Sequence, residues 1–282
     1  MRRPHLASLL ARRLTLVLAI VSASPMFVAP AQAGEITALV PAYFYPTWWV
    51  GSAWDDLNVA AARIPIEAIM NPASGPGSGS NSDYQYAVGS LQAAGGKVIG
   101  YVATGYGSRT AEEVLADVVS YLDWYDVDGI FVDEMGNQLG GLDYAALYFS
   151  IKALGVDLHV VGNPGTPFAP ANTLVTAVDT LVIYEGPLQN ADPNGASFRM
   201  YPNRGPYTGL PQWFTAYDSS KIANLVYDVS TPLKMIATLL KALETNAAYV
   251  FITNDVLVNP WDTLPPYWKH EVDAIEFLNC VL

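Results

Sequence analysis

Eight short apolar runs recur along the chain, each closed by a polar or turn residue, and this repetition constrains the fold most. They cover Ile36–Tyr45, Ile64–Met70, Lys97–Ala103, Gly129–Asp133, Leu158–Gly162, Leu181–Tyr184, Ile222–Tyr227 and Ala248–Thr253. Each is continuous rather than alternating, as in a parallel strand covered on both faces. Between them lie segments with helical periodicity. In Thr110–Tyr125, Thr110 is a candidate cap and Glu112 and Glu113 suit the positive end of the helix. Val114, Leu115, Val118, Val119 and Leu122 line one face. Ser82–Ala94, Leu142–Leu154, Ser230–Thr245 and Tyr267–Leu278 follow the same pattern; 53–62, 169–178 and 211–218 are weaker candidates. Eight β/α alternations in about 250 residues predict an α/β fold, a single-domain (β/α)8 TIM barrel, over an open doubly wound sheet.

The first 33 residues stand apart from this pattern. Arg2, Arg3, Arg12 and Arg13 precede an apolar run, Leu14–Val21, and a small-residue stretch ends in Ala31-Gln32-Ala33. That is the form of a secretory signal peptide. The apolar run is shorter than the roughly 20 residues of a membrane span. The expectation is a signal peptide at 1–33, a barrel at 34–282 and a secreted protein with no membrane span. Cleavage there leaves 249 of the 282 residues and, with four arginines lost, moves the formal charge from −12 to −16. An acidic chain with no basic patch excludes the usual nucleic-acid binders. With Cys280 as the only cysteine, an intramolecular disulfide framework is excluded. Three histidines without metal-ligand spacing argue against a zinc hydrolase, and there is no G-x-S-x-G elbow, P-loop or dinucleotide fingerprint. No cofactor or metal is expected.

In such barrels the active site lies at the C-terminal ends of the strands. The fourth run closes on Asp133-Glu134 and the sixth on Glu185. Carboxylates from two strands are what glycoside hydrolysis needs: one protonates the leaving oxygen, while the other attacks the anomeric carbon or activates water. Adjacent strand residues point to opposite faces, so Asp133 and Glu134 can share the mouth only if the strand ends between them. Asp126 and Asp128 precede the fourth strand and are read as solvated loop acids. Other residues at strand ends are candidates for substrate binding: Tyr43, Tyr45, Asn71, Tyr101, Tyr106, Asn163, Tyr184, Tyr227 and Asn254. Trp48, with Trp49 and Trp54, adds aromatic faces suited to stacking on sugar rings. Trp213, Trp261 and Trp268 are ambiguous, and Trp124 is assigned to the core.

Four stretches carry a family resemblance: Pro41–Pro46 with Trp48-Trp49, Asn71–Gly77, Gly100–Arg109 and Asp128–Glu134. With them the chain resembles the spherulin-4 family, described as glycoside hydrolase family 135. The resemblance implies a secreted (β/α)8 enzyme that cuts α-1,4-linked N-acetylgalactosamine polymers at internal sites. It implies that the Asp-Glu pair after the fourth strand and a later Glu are required. By motif the pair is Asp133 and Glu134; Glu185 fits the later Glu by its place at the sixth strand.

The expected function is therefore a retaining, endo-acting glycoside hydrolase on an amino-sugar polysaccharide, active as a monomer. Asp133 is favoured as nucleophile or transition-state stabiliser, Glu185 as general acid/base and Glu134 as a positioning group, with Asp133 and Glu134 exchangeable. On an N-acetylated substrate the acetamido oxygen is an alternative nucleophile. The alternatives are a non-catalytic carbohydrate-binding or matrix protein on the same barrel, or a barrel hydrolase or lyase of other specificity.

Overall fold

The computed structural model describes residues 34–47, 51–136, 141–165, 174–188, 214 and 216–282. The segment 1–33, Trp48, Trp49 and Trp213 lie outside the described residues. The strands are β1 (Thr37–Ala42), β2 (Ile66–Met70), β3 (Lys97–Ala103), β4 (Gly129–Asp133), β5 (His159–Gly162), β6 (Thr180–Pro187), β7 (Ile222–Tyr227) and β8 (Tyr249–Ile252). They pair in parallel, in chain order, and close when β1 pairs β8 through Thr37↔Tyr249 and Ala38↔Val250. Closure excludes the open sheet. Around the strands run α1 (Ala53–Ala61), α2 (Ser82–Ala93), α3 (Ala111–Tyr125), α4 (Tyr144–Leu154), α5 (Pro232–Glu244) and α6 (Trp268–Val281). Of the three weaker helical candidates, 53–62 forms α1, 169–178 shows a 3-10 turn, Val175–Ala177, in its described part 174–178, and 211–218 lies partly outside the described residues. Among the described residues no helix is long and apolar enough to cross a membrane.

Side-chain caps mark the helix starts at the mouth formed by the strand ends in α1 to α5, and α6 has none. Thr110 caps α3 with a reciprocal box: its Oγ1 accepts from Glu113 N at 3.3 Å, and Glu113 Oε2 accepts from Thr110 N at 2.8 Å. Ser52, Asn81, Asp143 and Thr231 cap α1, α2, α4 and α5 in the same way, each side chain accepting a backbone N–H that the helix itself leaves unpaired. Asp128, read as a solvated acid, instead accepts the Val98 N–H at 2.8 Å and ties the start of β4 to β3.

Helix and sheet approach closely at Gly100. A Cβ there would lie 2.5 Å from the Tyr121 ring of α3, whose hydroxyl donates to the Met70 carbonyl at 3.2 Å. Gly100→Ala is expected to cost about 1–3 kcal/mol through overpacking, read from urea unfolding. An unchanged midpoint would show that α3 slides freely on the sheet.

The interior is not wholly apolar. Glu67 on β2 is 2% exposed, and both its carboxylate oxygens meet His159 Nδ1 on β5, at 2.8 and 3.0 Å. His159 Nε2 lies 3.0 Å from Thr180 Oγ1 on β6. Thr180 gives its one hydroxyl proton to the Ser220 carbonyl at 2.6 Å, so it accepts from the imidazole. This link joins β2, β5 and β6 at the N-terminal end of the barrel, the end opposite the strand-end acids.

One strand departs from expectation in a way that matters. β6 continues past Tyr184 to Pro187, with an irregularity in its pairing to β7 between Val182 and Tyr184. Glu185 therefore sits within the strand, opposite Leu225, rather than at its end.

Candidate active site

The Asp133-Glu134 step resolves the alternation problem. β4 ends at Asp133, and Glu134 takes a left-handed backbone, φ 53°. This conformation is uncommon for a residue with a Cβ, so it needs fixing from outside. The Glu134 carbonyl accepts from Tyr106 N at 2.8 Å and from Thr104 Oγ1 at 2.6 Å. Tyr144 closes the brace, its hydroxyl 3.0 Å from Thr104 Oγ1 and accepting from Gly136 N. Thr104 is legible in the sequence as a polar residue that follows the third strand within the Gly100–Arg109 motif; Tyr144 carries no such signal.

Asn163, the residue after β5, stands between the two strand acids and bonds to both. Its Oδ1 accepts from Gly165 N at 3.0 Å, which fixes the amide so that Nδ2 faces the carboxyls. Nδ2 donates to Asp133 Oδ1 and to Glu185 Oε2, both at 2.8 Å. A shared donor limits the separation of those oxygens to about 5.6 Å, twice the bond length.

Burial pushes Asp133 up to about 7, and the Glu185 charge adds to the shift. The Glu134 backbone N–H and the Tyr101 side chain oppose it. Glu185 is also raised by burial, against hydrogen bonds from Asn163 and Trp261. Two carboxyls this close titrate as a unit, and the pair keeps a proton near neutral pH. The Tyr43 and Tyr101 hydroxyls are raised first by burial and then by the Asp133 charge, so both remain donors.

Aromatic side chains cluster around the carboxyls. Tyr43 meets Tyr101 edge-on at 5.7 Å, and Tyr101 stacks on Phe131 at 6.2 Å. Tyr106, 59% exposed, stands at the opening, and its phenol feels Glu134 first among the three acids. Trp261, from the loop after β8, lies edge-on to Tyr227 at 5.9 Å, and its carbonyl accepts from Tyr43 N at 3.2 Å. It contacts Glu185 although some 76 residues separate them in sequence. The composition of its loop, Asn259-Pro260-Trp261-Asp262 after the eighth strand, is the one sequence signal that could have picked it out.

The remaining candidates divide by position. Asp133, Glu185, Asn163, Tyr101 and Tyr43 converge, with Glu134 and Tyr106 at the edge and Tyr227 behind Trp261. Asn163 is 3% exposed and lies beneath the carboxyls, where a ligand has little access. Tyr45 sits on the rim and donates to Asp83 Oδ2 at 2.6 Å. Asn71 accepts from Gly75 N at 3.0 Å and so shapes the Gly/Ser-rich loop. Asn254, half-buried after β8, has a buried Oδ1 without a partner among the described residues. Tyr184 is not brought to the cluster: next to inward-facing Glu185, it is buried on the other face, its hydroxyl donating to the Pro187 carbonyl. Trp48 lies outside the described residues. Trp54 and Trp268 are core residues, 2% and 4% exposed.

Comparison with known proteins agrees with this architecture. Sph3 of Aspergillus clavatus, whose crystal structure was determined in complex with GalNAc, matches with a TM-score of 0.67 at 23% identity, over 86% of this chain and 98% of that one. A GH18 chitinase from Pseudoalteromonas aurantia matches with a TM-score of 0.50 at 12% identity, over 88% and 100% of the two chains. At such identities both speak to the fold. In sequence, Spherulin-4 of Physarum polycephalum is 30% identical over 249 residues, which is 86% of this chain and 71% of that protein. The profile of spherulation-specific family 4 matches residues 37–275, from the first strand into the last helix, and the chain belongs to that family.

Proposed function

We propose that the protein is a secreted, endo-acting glycoside hydrolase that cleaves an amino-sugar polymer, such as α-1,4-linked N-acetylgalactosamine, with retention. The observation that carries this reading is the common donor. Asp133 Oδ1 and Glu185 Oε2, each 2.8 Å from Asn163 Nδ2, can be no more than about 5.6 Å apart, a ceiling that fits the about 5–5.5 Å of retaining enzymes and falls short of the roughly 6.5–9.5 Å of inverting ones. The GalNAc bound to Sph3 supports the choice of sugar.

Electrostatics favour a division of roles opposite to the one expected from the sequence. Asp133, which keeps its proton to about pH 7, donates that proton to the leaving glycosidic oxygen. Glu185, supported by Asn163 and Trp261, is the carboxylate that attacks the anomeric carbon. On an N-acetylated unit it instead orients the acetamido group whose oxygen attacks. Water then releases the sugar and returns a proton to Asp133. Glu134 positions the substrate from the edge, and Tyr43, Tyr101 and Tyr106 present hydroxyls and ring faces to it.

The test is incubation of the protein with α-1,4-N-acetylgalactosamine polymer, following new reducing ends and product size. Internal cleavage to oligosaccharides is expected, with a bell-shaped pH profile. The alkaline limb falls near pH 7 as Asp133 loses its proton, and the acid limb marks protonation of Glu185. Binding of the polymer without any new reducing ends would favour the non-catalytic carbohydrate-binding protein.

A further inference from the structure

We infer that Asn163 is a positioning residue that acts as a spacer, keeping Asp133 and Glu185 far enough apart for a sugar ring to sit between their reactive oxygens. This rests on the hydrolase reading for its functional half, while its structural half concerns the two carboxyls alone.

The amide has no donor left for a ligand. Nδ2 has two protons, one directed at Asp133 Oδ1 and one at Glu185 Oε2, and Oδ1 accepts from Gly165 N. The residue is pinned at its backbone as well: Asn163 N donates to the Val132 carbonyl at 2.8 Å, and its own carbonyl accepts from Met135 N at 3.0 Å. Asn163 therefore moves with the end of β4 and is a rigid part of the barrel. Its left-handed neighbour Gly165, φ 61°, has room for the Tyr106 hydroxyl and Glu185 Oε2 at 3.9 and 4.0 Å from where a Cβ would stand.

Removing the spacer changes the chemistry in a defined direction. Two buried carboxyls that hold one proton between them have a more stable arrangement than the one seen here. They can close to a direct O–H···O⁻ contact of about 2.5–2.7 Å, as paired carboxyls do. In that state both reactive oxygens are occupied by each other, and the gap that retaining hydrolysis requires is lost. A neutral donor between the two acids prevents the collapse without supplying a charge. A lysine or arginine there would instead hold both carboxyls ionised and remove the proton that the acid must give.

The variants are Asn163→Leu, which keeps the volume and removes every donor, and Asn163→Ser, which keeps one donor for one carboxyl and causes less disturbance if the leucine form does not fold. Three readouts are needed: kcat and KM on the polymer, a carbon-13 carboxyl titration of Asp133 and Glu185, and a crystal structure. For Asn163→Leu we expect a kcat about a hundredfold lower, with KM changed less than threefold. We also expect one carboxyl to titrate at least one pH unit higher and the oxygen separation to fall below about 3 Å. Asn163→Ser should lie between Asn163→Leu and wild type in all three. Unaltered carboxyl separation and titration in the folded variants would overturn the spacer role, even if activity fell. If the wild type cleaved no amino-sugar polymer while the carboxyls still collapsed in the variants, the spacer would stand and the hydrolase reading would fall.

Discussion

Asp133→Asn and Glu185→Gln are each expected to lower kcat for polymer cleavage about a thousandfold, because each removes a proton-transfer or nucleophilic group without changing its shape. KM should move little, since the two variants keep the volume and most of the hydrogen bonds. Reducing-end release under saturating polymer is the measurement, and activity within tenfold of wild type in either variant would remove that residue from the catalytic pair. Stability should respond in the opposite sense for Asp133. Its folded value of about 7 lies above its ordinary 3.8, so the native state binds the proton more tightly than the unfolded chain does. Native stability therefore declines as pH rises through the interval from about 4 to 7, and this decline is absent below it. Asparagine has no proton to lose. The stability of Asp133→Asn relative to wild type should grow across that window and level off above it, as seen in urea midpoints taken at several pH values. A difference constant with pH would mean that Asp133 is not perturbed in the folded protein. Loss of activity with gain of stability is the usual sign that a site is built at the expense of the fold.

The second large effect is expected far from the cleft. Glu67→Ala should destabilise the barrel by about 2–3 kcal/mol, because it removes a buried side chain and leaves the half-buried His159 Nδ1 beside a cavity with no acceptor. Glu67→Gln keeps the volume and one acceptor oxygen, and should cost about 1 kcal/mol. Both changes should leave the pH profile of activity in place, since the link lies at the N-terminal end of the strands. Urea unfolding checks the first expectation. A cost below about 1 kcal/mol for Glu67→Ala would show that water replaces the carboxylate at that end, making the link dispensable. The partly open position of His159, whose side chain is 14% exposed, is the reason to test this directly.

Much of this molecule could be read from the order of its residues. Continuous apolar runs such as Val98–Val102 encode strands buried on both faces, and eight of them with helices between leave a closed barrel as the economical arrangement. Helix starts were equally legible, because a capping box such as Thr110 with Glu113 is a contact between residues three apart. The acids at β4 and β6 could be singled out because charged residues are sparse in this chain, 14% in all, and these close apolar runs. Short-range patterns of this kind depend only on local periodicity and backbone preference.

What the tertiary structure decided is every relation between strands. The left-handed turn at Glu134, the irregular register that places Glu185 within β6, and the amide of Asn163 that joins it to Asp133 all depend on how far each strand is shifted against the next. The same holds for Trp261, which reaches Glu185 from the loop after β8, two strands away, and for Glu67, which meets His159 across 92 positions of sequence. It holds also for Tyr184, which neighbours Glu185 in sequence and faces away from it in space. By itself the sequence determined which segments are strands and helices and which acids stand near the mouth, because those follow from local hydrophobic pattern. Which side chains meet there was decided only by barrel closure, because closure fixes register and stagger through the sum of many weak contacts that no single stretch of sequence contains.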